Sequence, residues 1–121
     1  MKHVTLETAK KLKEKGWNQS KTLFTYLNGI IVDSLTLSGL THEQMPKDPE
    51  FVAAPDISEL LDALPPYVEL HKNDDGSYSA YLDPQEPIDV QEGNYSNQFD
   101  ADTPAEALAA LWLALREKGI V

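Results

Sequence analysis

Cysteine is absent from this chain. Its absence removes disulfides, thiolate nucleophiles, Cys-based zinc sites and iron–sulfur clusters together. No run of about 18 apolar residues occurs, so no stretch of the sequence suits a bilayer span. The N-terminal residues Met1 to Thr8 lack the apolar core of a signal peptide. A cytoplasmic location is the expectation, and a reducing compartment agrees with it. Basic residues are scarce beyond the first third of the chain. Residues 1–40 hold six lysines against Glu7, Glu14 and Asp33, a net charge of +3. Residues 41–121 hold four basic and seventeen acidic residues, a net charge of −13, and none of Asn73 to Leu115 is Lys or Arg. The total of −10 repels phosphate backbones, so no direct nucleic-acid binding is expected. Acidity of this kind also serves solubility.

The common catalytic signatures are missing as well. There is no phosphate loop, GxGxxG, GxSxG or HExxH pattern. His3, His42 and His71 fall in different predicted elements. Asn73-Asp-Asp-Gly76 superficially suggests a calcium loop, but an EF-hand needs Glu at its twelfth position and Pro84 stands there. The same residues are what a hairpin loop requires. These gaps lead to the expectation of a non-enzymatic protein without cofactor or metal.

What is present reads as a globular fold. The 121 residues are 41% apolar and 25% charged, which suits one domain over 1–121. Thr5 caps a first helix with Leu6, Ala9 and Leu12 as its apolar stripe. Gly16 stops it, and Trp17 is placed to fold back on it. Residues 22–27 and 30–32 flank Asn28-Gly29, the strongest short signal for a hairpin with a type I′ turn. The second strand is expected to run to about Leu37. Residues 41–55 hold three prolines and read as a loop wrapping one body, with Phe51 and Val52 seeking burial. Asp56 to Glu59 is a capping box opening a helix with Ile57, Leu60, Leu61 and Leu64 on one face. Pro65-Pro66 ends that helix.

A second hairpin pairs 67–72 with 77–82, placing Val68 and Leu70 on the face of Tyr78, Ala80 and Leu82. Ile88 and Val90 suit a short edge strand, and Phe99 starts the return to the core. In the final helix Thr103 is the cap, Pro104 takes N1 and Glu106 closes a capping box. Leu108, Leu111, Trp112 and Leu115 form its apolar face, with a stop at Gly119. The order predicts an α+β fold: a mostly antiparallel sheet built from two hairpins, with helices packed on one face.

The candidate partner-binding residues are Asp83, Glu86, Asp89 and Glu92. They recur every third residue in a proline-broken acidic stretch. Loops carry function disproportionately, and such a row could line a metal or a basic partner. A solvated loop is the alternative reading of the same residues.

The segments Val4–Trp17, Ala54–Pro65 and Asp102–Leu113 resemble, in that order, small uncharacterised proteins encoded by phages and prophages. That resemblance implies a host bacterial cytoplasm and no activity that can be assigned to a residue. Asp75-Gly-Ser-Tyr78 followed by Thr103–Leu108 is similar to HicB-type antitoxin domains over about residues 67–118. There a strand pair and a helix pack together and bind a small basic toxin. The function expected is therefore that of an accessory or interaction protein with a protein partner, as a monomer or homodimer. An acidic inhibitor of a basic protein, antitoxin-like or a nucleic-acid mimic, is the alternative.

Overall fold

The computed structural model describes residues 2–20, 22–82 and 98–121. Its elements run α1 (Leu6–Glu14), β1 (Phe24–Leu27), β2 (Ile30–Asp33), α2 (Ser34–Ser38), β3 (Phe51–Ala53), α3 (Ile57–Ala63), β4 (Val68–Lys72), β5 (Tyr78–Leu82), β6 (Phe99–Ala101) and α4 (Pro104–Glu117). The fold is α+β, and every strand pair among the described residues is antiparallel. Each expected hairpin gains a third strand, giving two sheets ordered β2-β1-β3 and β4-β5-β6.

The first turn follows from its two residues. Asn28 and Gly29 adopt φ of 49° and 84°, the type I′ geometry that suits the right-handed twist of flanking strands. β2 then ends at Asp33, short of the expected Leu37. The Asp33 carboxylate accepts from the Thr36 amide at 2.7 Å and caps α2 instead. The proline-rich stretch is also not all loop, because β3 adds to β1 with Tyr26 opposite Val52. Its prolines stand just outside the strand, where they cost no ladder bond. Val52 is buried as expected, whereas Phe51 stays exposed on the outer face of that strand.

Apolar side chains gather in one cluster. Tyr26 and Val52 enter it from the first sheet, and Ala80 enters from the second with Val68, Tyr78, Leu82 and Phe99 around it. α4 is the hub. Ala105, Ala107, Leu108, Ala109, Leu111 and Leu115 are fully buried, an arc wider than one amphipathic stripe. That width is required because α4 meets β5, β6, α3 and α1. Its alanines let neighbouring backbones come close. On α3, Leu60 and Leu64 are buried and Ile57 packs at the margin. Leu61, expected on the same face, is exposed instead, since α3 is covered along a narrower strip.

Candidate functional site

The four acidic residues singled out in sequence, Asp83, Glu86, Asp89 and Glu92, lie outside the described residues. So do Ile88 and Val90. Three polar groupings and one groove stand out among the residues that are described.

The first grouping joins two helices. Glu106 sits at N3 of α4, and its own amide donates to Thr103 Oγ1 at 3.2 Å. Its carboxylate does not return to the Thr103 amide to complete the expected capping box. It crosses to α1, where Oε2 accepts from the Thr5 amide at 2.9 Å and Oε1 from Thr8 Oγ1 at 2.5 Å. Thr8 holds the N3 position of α1, where a capping box has Glu or Gln, and α4 supplies that carboxylate instead. Beside it the Tyr26 hydroxyl donates to the Val4 carbonyl at 2.9 Å. Burial, then the nearby Glu106 charge, raises the Tyr26 phenol above its ordinary value. Every oxygen here has a structural partner.

The second grouping lies on the outer face of the second sheet. His71, Ser79 and Asp100 stand in register across three strands. The row has the residue types of a hydrolytic triad, so the direction of each proton matters. Ser79 Oγ donates to Asp100 Oδ1 at 2.5 Å, and accepts from Asn73 Nδ2 at 2.8 Å and Gln98 Nε2 at 3.2 Å. A hydroxyl has one proton and two lone pairs, so Ser79 is saturated. Its proton goes to a carboxylate rather than to a histidine base, which is not the arrangement of an activated nucleophile. The bonds from Ser79 and Gln98 hold the Asp100 carboxyl below the usual range. The Asn73–Gly76 loop itself is a hairpin turn, closed by the Asn73 amide on the Ser77 carbonyl at 2.8 Å.

The third grouping is Glu59, which caps twice. Oε1 accepts from the Asp56 amide at 2.8 Å in the capping box of α3, and Oε2 accepts from the Leu23 amide at 2.9 Å. Desolvation raises its carboxyl despite those bonds. No group of three His, Asp or Glu side chains among the described residues is placed to hold a metal ion. Among them also, no helix is long and apolar enough to cross a membrane.

The groove forms where the ends of α1, α3 and α4 meet; it is open to the surface and has a volume of about 600 Å³. Gly16 ends α1 with φ of 93°, and the Trp17 amide returns to the Leu12 carbonyl at 2.9 Å. This fold-back lays Trp17 edge-on against Trp112 at 5.0 Å between ring centroids. Leu64, Tyr67 and Ile120 complete the apolar wall. Arg116 forms the rim. Its guanidinium lies over Trp112 at 5.7 Å, with Nε donating to the Lys15 carbonyl at 2.9 Å and Nη1 to the Val121 oxygen at 3.0 Å. A second hollow of about 340 Å³ shares Trp17, Asn18 and Ala63 with the first. It is also lined by Glu59 and Asp62. Arg116 lines the first hollow and not the second, and Glu59 and Asp62 line the second and not the first.

Sequence reasoning folded Trp17 back on the first helix and placed Trp112 on the apolar face of the last. It missed that both tryptophans of the chain also line one groove. The signal was there in part: an aromatic at C″ of one helix and another near the end of a second. Their meeting depends on how α1 crosses α4, which no local pattern encodes. No family model matches the chain, and neither a curated protein nor a solved structure shows significant similarity to it.

Proposed function

We propose that this chain is a non-enzymatic interaction protein, of the accessory kind encoded by phages and prophages, and that it docks a protein partner in the groove over Trp17 and Trp112. The carrying observation is the composition of that groove. Trp, Tyr and Arg are the residues that dominate protein-binding hot spots, and a dry pocket among them is where a partner's anchor side chain gains most. Here Trp17, Tyr67, Trp112 and Arg116 line one concavity. The saturated hydroxyl of Ser79 and the cross-helix carboxylate of Glu106 support the same reading, because both are committed to holding the fold.

The test is a selection from a displayed random nonapeptide library against the folded chain. Ala63 is exposed, ends α3 and lines both hollows, so Ala63→Phe places a ring where they share a wall, with little demand on the core. Peptides that bind the natural chain and lose at least tenfold affinity for Ala63→Phe are the expected result. Peptides binding both equally, or no enrichment, would remove the groove from the account.

An acidic inhibitor of a basic protein is the second reading, favoured by the net charge of −10. Charge complementarity accelerates encounter and is weakened by salt. Retention of one partner unchanged between low salt and about 0.5 M would count against this second reading.

A further inference from the structure

We infer that the partner segment seated in the groove carries an apolar anchor between a carboxylate and a basic side chain. This rests on the reading of the groove as the docking surface and adds the chemistry of its occupant. The argument is charge complementarity across the two hollows, which share Trp17, Asn18 and Ala63. In the first the Arg116 guanidinium commits Nε and Nη1 to carbonyl oxygens, while Nη2 lies beside Gly16 at the groove rim. A planar guanidinium with remaining N–H groups is matched to a carboxylate. In the second hollow Glu59 spends both oxygens on backbone amides, and Asp62, also in its lining, is exposed. Two carboxylates there favour an ammonium or guanidinium group. Trp17 is common to both hollows, and Trp112 and Leu64 line the first, which offers apolar contact. Opposite charges in the two hollows favour one direction of the segment over the other, which a uniformly acidic surface cannot do.

Capped peptides with two, three or four leucines between Asp and Lys, in either order, are suitable probes. Peptides with Asp at both ends or Lys at both ends are the controls. The chain has only two tryptophans, so the two indole Nε1–H resonances report the groove directly. A mixed-charge peptide of one order should shift both resonances at a concentration at least tenfold below either control. Arg116→Gln should erase the preference for the acidic end, and Asp62→Asn, an exposed change, the preference for the basic end. Because the chain is strongly acidic, simple net attraction would instead favour the doubly basic peptide. That result, or equal binding of all probes, overturns the inference while leaving groove docking to the library selection. Indole shifts that follow protein concentration and ignore every peptide would place a second copy of the chain in the groove and also overturn it.

Discussion

Glu106 shows why a residue's role depends on where its neighbours fall. Its sequence position, three after a threonine, is that of a local capping-box acid, yet its carboxylate serves the start of a different helix. Sequence spacing revealed the acid but not its partner, because Thr5 and Thr8 are about a hundred positions away in the chain. Glu106→Ala leaves the Thr5 amide and Thr8 hydroxyl without their acceptor. The expected cost is about 1–3 kcal/mol of unfolding free energy in urea titrations. Thr8→Val on the Glu106→Ala background should then cost markedly less than Thr8→Val alone. Tyr26 adds a pH signature. Its phenol is raised above 10.0 in the folded chain, so the unfolded chain loses its proton first. Stability from this group is complete below pH 10 and falls as the pH rises past that value. Tyr26→Phe should flatten the alkaline limb of the stability profile, and an unchanged limb would deny the shift.

At the scale of elements, the helices were legible where chemistry is local. Thr5, Asp56 and Thr103 each cap the helix that their sequence position announces. The first turn was legible for the same reason, since positive φ at two successive residues selects Asn-Gly. Gly29→Val should destabilise the fold by about 1–2 kcal/mol, because a β-branched residue resists that φ. A thermal melt matching the natural chain would contradict the turn geometry. α2 and β3 were not legible. A five-residue helix shows too little periodicity to announce itself, and β3 is a strand only because β1 presents it with a free edge. That edge strand is then covered: Lys13 Nζ donates to the Phe51 carbonyl at 2.8 Å, and Gln19 Oε1 accepts from the Ala53 amide at 2.8 Å. α4 binds these parts together. Leu111→Ala should lower stability by about 2–5 kcal/mol, read by chemical denaturation, because its side chain is fully enclosed.

For the whole molecule, the α+β class was readable from element order, and the groove was not. Two hairpin signals suggested one platform, but each hairpin recruits its own third strand, and α4 and α1 lie against the two resulting sheets. The groove exists because three helix ends converge, with Arg116 in its lining and Asp62 in that of the hollow that shares Trp17 with it. Apolar exposure elsewhere offers a rival surface. Ile30 and Leu35, on β2 and α2, are 69% and 84% exposed. The two surfaces are separable by asking which protons a bound segment touches. The decisive measurement is the intermolecular nuclear Overhauser spectrum of a library-selected peptide on the isotope-labelled chain. The account predicts contacts from the peptide's methyl protons to the indole rings of both Trp17 and Trp112. Contacts confined to Ile30 and Leu35, with both indoles silent, would contradict it.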